Sequence, residues 1–274
     1  MKKINWHEMA VCGLKITLKK YSHLLEFLSE YPLGKNNYRI DLLIIHKLSD
    51  ILIPKQIAAI FRSYNLFEIK GVGSSLDIFA YYKTNGYAGL FVDSIKQKNG
   101  NFTSRFDITI SFLCNRYPRK LFRHLSQNCG KPIEKYAPGI YYIHNEMYPT
   151  QVIVTSQLSD EENLYLQCIT NHLTNPKQIE NITTDYIENQ ENQIYETYMN
   201  YLTTANTDKK GESPMCCEGI FKLYGTSSKE IAEKAAKEAT EQVEQKFISK
   251  IKELEEKNKI LLAQIAQLQG NTNV

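Results

Sequence analysis

The order of apolar and polar positions predicts a helix, a run of strands, and a return to helix. Over residues 5–21, Trp6, Met9, Ala10 and Leu14 recur at helical spacing behind Asn5, whose short amide suits an N-cap. Residues 24–33 follow, and a polar turn at 34–37 suits a hairpin into Arg39–His46 (RIDLLIIH), where Ile and Leu run over strand length. Residues 54–63, starting at Pro54, predict a helix, and Asn65–Gly71 (NLFEIKG) a short strand closed by glycine. A helix is then expected over 75–92, with Leu76, Phe79, Ala80, Lys83 and Tyr87 on nearby faces. Residues 107–115 (DITISFLCN) predict a strand, and 118–128 (PRKLFRHLSQN) a helix with proline in its first turn. Strands at 140–143 and 151–155 and a helix near 160–173 complete an α/β pattern.

Residues 174–225 are polar and rich in Asn and Thr, and predict a helix near 190–204 and a linker through Gly211 and Pro214. Beyond them the pattern changes to heptads. Phe247, Leu254, Leu261 and Leu268 recur at d, and Ile251, Asn258 and Ile265 occupy a, the signature of a coiled coil. One asparagine at a among isoleucines favours a parallel homodimer, because the two amides satisfy each other only in register. The alternative is an amphipathic helix docked on its own domain. The expected organisation is a domain over 1–173, a helical linker region over 174–226 and a C-terminal helix with coiled coil over 227–270.

Composition narrows the class. With 42% hydrophobic and 23% charged residues, 13 glycines and 8 prolines in 274 residues, the chain is neither disordered nor fibrous. No run approaches the ~20 apolar residues of a membrane-spanning helix. The apolar stretch from Met9 to Leu14 is cut short by Lys15, too soon for a signal peptide. The expectation is a cytoplasmic protein with no membrane partner. The six cysteines form no CxxC pair and have no histidine at zinc spacing, so neither a zinc ribbon nor a disulfide framework is implied. Net charge is +3, but residues 1–150 carry 21 Lys/Arg against 11 Asp/Glu, and residues 151–274 carry 12 against 19. A basic front half suits a polyanion such as DNA, and equally a solubilising surface.

The candidate chemistry starts at Asp41, a carboxylate flanked by Ile40 and by Leu42 to Ile45, where it loses hydration unless something compensates. Glu68 and Lys70 are two apart on the next strand, so both project from one face. If the strands are neighbours, two carboxylates converge beside a lysine. At a separation of about 4 Å they repel by several kcal/mol, which calls for a divalent cation or a proton. The alternative is a Glu68/Lys70 surface pair, with Asp41 bridged to Arg39 or Arg62.

This pattern resembles the PD-(D/E)xK nuclease superfamily. The matching elements are a helix carrying Glu8, the strand with Arg39-Ile40-Asp41, the strand with Glu68-Ile69-Lys70, and a helix with Tyr82 and Lys83, in the order α-β-β-β-α-β. RIDLLII, NLFEIKG, YYKTNGYAGL, DITISFL, PRKLF and PGIYYI look like the branch of recombination-promoting and transposase-like bacterial nucleases. The likeness covers about residues 5–170; Ile40 stands where the name of the superfamily has proline, and residues 54–63 separate the two acidic strands. It implies a restriction-endonuclease-like core, a mixed sheet flanked by helices, acting as a Mg²⁺-dependent endonuclease on DNA, with Mn²⁺ a possible substitute. Asp41, Glu68, the Ile69 carbonyl and Glu8 would hold the metal, and Lys70 would orient or deprotonate the attacking water. Tyr82, Lys83 and the cluster Arg116, Arg119, Lys120 and Arg123 are the candidate DNA contacts. The rival expectation is a catalytically inactive DNA-binding or coiled-coil assembly protein that retains the fold. No phosphate-binding loop is present: GVGSS at 71–75 lacks the Walker lysine.

Overall fold

A computed structural model describes residues 4–34, 37–47, 51–99 and 107–206 and the single positions 248, 250, 251 and 257. The chain divides into two units, Met1–Leu223 and Tyr224–Val274. In the first, the order is α1 (Trp6–Thr17), β1 (Leu25–Pro32), β2 (Arg39–His46), β3 (Tyr64–Lys70), α2 (Ile78–Asn99), β4 (Ile108–Cys114), α3 (Arg119–Asn128), β5 (Ile133–Ala137), β6 (Ile140–Ile143), β7 (Thr150–Val154), α4 (Asp160–Gln167), α5 (Pro176–Glu188) and α6 (Gln193–Asn206). This is an α/β architecture. Seven strands form one mixed sheet in the order β1-β2-β3-β4-β7-β6-β5, parallel only across β3-β4-β7.

Each early element has a local cause. Asn5 caps α1 by accepting from the Glu8 N–H at 3.2 Å, as its position in the sequence predicts. Gly34 takes a φ of +68° in the β1-β2 turn, and Leu33 N–H donates to the Tyr38 carbonyl to close it. Asp77 accepts from the Ala80 N–H at 2.8 Å and so starts α2. The centre of the sheet is covered on both faces: every residue of β4 and β7 is buried. One face packs on α2 and α3 through Leu66, Ala80, Tyr81, Phe91, Phe112 and Leu121. On the β3 residues that face the opposite way, α1 lies against the strand, and α4 and α6 pack on α1.

Several boundaries differ from the sequence expectation. The helix expected over 5–21 ends at Thr17, whose hydroxyl bonds back to the Gly13 carbonyl, and a 3₁₀ segment (Lys19–Leu24) takes over. Residues 54–63 hold one 3₁₀ turn, Gln56–Ala58, not a helix. Their polar groups are met by tertiary bonds instead: Gln151 Nε2 donates to the Ile57 carbonyl, and the Asn65 amide bonds both backbone groups of Arg62. α2 runs seven residues past 92, and the helix expected over 160–173 ends at Gln167. β5 and α5 had no counterpart in the hydrophobic pattern. α6 falls where a helix was expected near 190–204, and it packs on the domain: Tyr198, Met199 and Leu202 are buried, and Tyr198 donates to the Tyr165 carbonyl at 2.5 Å.

In the second unit the four described positions are helical, and Ile251, expected at an a position, is 53% exposed. Phe247, Leu254, Asn258, Leu261, Ile265 and Leu268 lie outside the described residues, as do Cys216 and Cys217. Cys12, Cys114, Cys129 and Cys168 are free thiols, three of them buried. Among the described residues no helix is long and apolar enough to cross a membrane.

The contact that seats α1 at the end of β3 is between Trp6 and Gly71. A Cβ on Gly71 would stand 2.8 Å from the Trp6 Cβ and 2.9 Å from its ring, closer than packed atoms allow. Gly71→Ala is therefore expected to destabilise the protein by about 1–3 kcal/mol through overpacking. Trp6 is the sole tryptophan, so chemical denaturation followed by its emission checks both the loss and the displacement. An unchanged spectrum and midpoint would show that the helix start does not rest on this contact.

Candidate functional site

The antiparallel registers lay carboxylates in one row across three strands. Pairs Ser29–Leu42 and Tyr31–Ile40 set Glu30 opposite Asp41, and continuing past Leu42–Phe67 sets Asp41 opposite Glu68. Parallel pairing puts Glu68 beside Phe112 of β4. Like charges directly across a ladder repel, so the row needs compensation, and each acid receives a different kind.

Asp41 is half-buried, and its Oδ2 accepts from the Ile69 backbone N–H at 2.7 Å. Burial raises its pKa, Glu68 raises it further, and the Ile69 N–H, His7 and Lys83 pull the other way; the net direction is upward. Glu68 is only 2% exposed. Its Oε1 accepts from Lys70 Nζ at 2.9 Å and from Lys83 Nζ at 2.8 Å, and Oε2 accepts from neither. Lys83 reaches β3 from the second turn of α2. Burial alone would lower its pKa, but the hydrogen bond and charge of Glu68 outweigh that and hold it above the ordinary lysine value.

Glu30 is compensated by position. It is exposed, and its φ of 50° is one of two positive values at non-glycine residues among those described. Such a backbone costs on the order of 1–3 kcal/mol and persists where the surroundings demand it. One ligand atom each from His7, Glu30 and Asp41 lie within 4.8 Å of one another. Around an octahedral ion with bonds of about 2.1 Å, neighbouring ligands stand about 3.0 Å apart and opposite ones about 4.2 Å, the spacing these three side chains would have to adopt to hold a divalent cation.

The structure brings together Asp41, Glu68, Lys70 and Lys83, and the Ile69 backbone with them. Asp41 pairs with no arginine among the described residues, and Glu68 and Lys70 are not a surface pair, so the bland alternative for these residues does not describe them. Glu8 is not brought in. Its carboxylate bonds Asn5 Nδ2 at 3.2 Å and takes the Tyr201 hydroxyl, while His7, one residue earlier, joins Asp41. Tyr82 also points elsewhere: it is 53% exposed, with its hydroxyl 3.8 Å from Cys129 Sγ. Arg116, Arg119 and Lys120 line a groove of about 420 Å³ between the starts of α2 and α3, and Arg123 lines a second hollow with Arg119. Glu30 escaped sequence reasoning because LEFLSEYP marks no position as special; the available signal was the hairpin register, which fixes its partner once the turn is placed. His7 stood beside the expected Glu8, and only the helix phase separates the two.

Comparisons with family models, with characterised proteins and with solved structures found no match to this chain.

The raised Asp41 pKa has a stability consequence. A carboxylate whose folded pKa lies above its unfolded value contributes stability that is full below the unfolded value and lost as pH rises through the folded one. Asp41→Asn keeps an oxygen for the Ile69 N–H and removes the charge. Without divalent cations, its melting temperature is expected to equal or exceed wild type at pH 7, the gap closing toward pH 4. Added Mn²⁺ should raise the wild-type melting temperature and leave the variant unmoved. A variant less stable than wild type at pH 7 would show that the carboxylate is structural.

Proposed function

We propose that this chain is a divalent-cation-dependent nuclease that hydrolyses phosphodiester bonds in DNA. Its core is then of the PD-(D/E)xK kind, in the branch of recombination-promoting and transposase-like nucleases. The observation that carries this reading is the convergence of Asp41, Glu68 and Lys70 on neighbouring strands, with Lys83 arriving from the next helix. The element order through β4 supports it, since α-β-β-β-α-β is what the resemblance implies.

Asp41 and Glu68 would hold Mg²⁺ or Mn²⁺, with the Ile69 carbonyl as a further ligand. His7 and Glu30 extend the donor set, and an imidazole nitrogen suits Mn²⁺ better than Mg²⁺. Such a cation, when bound, supplies Lewis-acid chemistry: it makes water acidic near neutral pH and offsets charge developing on the phosphoryl oxygens. The protein's own groups do the rest. Lys70, as an ammonium paired with Glu68, donates to the attacking water and fixes its line of approach. Lys83 brings a second positive charge to the same carboxylate and stabilises the phosphorane-like transition state from the α2 side. Glu68 holds both lysines in place before substrate arrives.

One observation favours the rival reading of an inactive DNA-binding or assembly protein. Two ammonium groups on one Glu68 oxygen already satisfy a buried carboxylate without any metal. Plasmid cleavage separates the two. Purified protein should nick supercoiled plasmid with Mg²⁺ or Mn²⁺ and not with EDTA, and Asp41→Ala or Lys70→Ala should lower the rate by about a hundredfold or more. Either variant cutting at the wild-type rate would remove the site from the mechanism. DNA binding should also weaken steeply with salt, log K falling by about 0.9 per phosphate contact against log salt.

The heptads from Phe247 to Leu268 are proposed to hold a parallel homodimer, which presents two identical sites to opposite strands. Truncation after Thr226 should leave a particle of lower mass by light scattering that nicks plasmid but linearises it poorly. Equal mass for the truncated and full-length proteins, once corrected for chain length, would place the dimer interface elsewhere.

A further inference from the structure

We propose that the groove between the starts of α2 and α3 holds an unpaired strand, so that single-stranded, forked or overhanging DNA is the preferred substrate over blunt duplex. This rests on the nuclease reading and names the substrate of that same site. The groove lies at the correct end of the sheet. β3 and β4 run parallel with Lys70 beside Cys114, so the loops that lead to α2 and α3 leave the same edge. Ile78, which lines the groove, precedes Lys83 by five residues, about 7.5 Å along the helix axis.

Two properties of the groove point to a strand with its bases splayed out. Its exposed lining is mostly apolar, with Ile78 and Tyr117 contributing, yet Arg116, Arg119 and Lys120 line it as well. None of these three cations makes a salt bridge or side-chain hydrogen bond among the described residues. Asp77, the one acid in the lining, is engaged as the cap of α2. Duplex DNA buries its base faces and needs only cations for its phosphates. A concave apolar surface beside cations that no described acid pairs matches a nucleotide whose ring stacks on an aromatic group and whose phosphate meets an arginine. Phe79, on α2 next to the groove residue Ile78, is 80% exposed, a ring that nothing in the fold accounts for.

The test is fluorescence anisotropy in EDTA, where binding is read without hydrolysis. The probes are a blunt duplex, the same duplex with a single-stranded overhang, an oligothymidylate and its RNA counterpart. Wild type is expected to bind the overhang about tenfold more tightly than the blunt duplex. Tyr117→Ser and the double variant Arg119→Ala/Lys120→Ala should lose most of that preference, while Asp41→Ala keeps it. Tyr117 packs on Phe122 and Tyr141, so the double variant, whose side chains have no salt-bridge or hydrogen-bond partner among the described residues, decides the matter if Tyr117→Ser fails to fold. Equal affinity for overhang and blunt duplex, tighter binding of RNA than of DNA, or groove variants that retain the preference would each overturn the proposal. Preference without cleavage would overturn the nuclease reading and leave the groove intact; cleavage without preference would do the reverse.

Discussion

Two carboxylates held opposite each other inside a sheet are the constraint around which the rest of this site is arranged. Asp41 and Glu68 sit at adjacent register positions on β2 and β3, partly or fully removed from water. At that spacing mutual repulsion and lost hydration act together, and the rise in the Asp41 pKa is their combined effect. A fold that only needed stability would put apolar side chains there, as it does one residue away at Leu42 and Phe67. The acids are kept at a cost, and the neighbouring groups make sense as the means of meeting it.

Compensation is unequal in a way that bears on chemistry. Glu68 is neutralised by two lysines from different elements, which fixes β3 to α2 and holds two ammonium groups at a set position. Among the described residues Asp41 receives one backbone N–H and no lysine within hydrogen-bond reach, so they leave its charge for something else to meet. On its far side stand His7 and Glu30. His7 gets there because Trp6 lies against Gly71, where the absence of a side chain lets the helix start approach the end of β3. Glu30 gets there through a left-handed backbone inside a strand. A glycine and one strained residue thus shape the open side of the site.

Much of this was legible in the sequence because the acids interrupt strong apolar runs. Asp41 within RIDLLIIH and the Glu68/Lys70 spacing in NLFEIKG fix both the faces and the strands, and the element order through β4 follows from them. Lys83 was named from its place on the next helix as a DNA contact, and its pairing with Glu68 comes from how that helix packs on β3. The helix expected at 54–63 failed because Ile57 and Ala58 are buried by tertiary packing, and Gln151, nearly a hundred residues away, takes the carbonyl that a helix would have used. That His7 rather than its neighbour Glu8 lies beside Asp41 is a matter of helix phase, which one turn of sequence does not determine. Glu30 was invisible because its role comes from register across a hairpin. The packing of α5 and α6 lay in a polar, Asn-rich stretch whose core residues are tyrosines that hide in a hydrophilic pattern.

Everything in this arrangement turns on a divalent cation at the open side of Asp41. Anomalous diffraction from crystals soaked in Mn²⁺ tests it most directly, because the peak locates the ion independently of any activity. A peak is expected within coordinating distance of the Asp41 carboxylate, bounded by Glu68 on one side and by His7 or Glu30 on the other. A peak confined to surface acids elsewhere, or none near Asp41 with Lys70 and Lys83 still closed on Glu68, would contradict it.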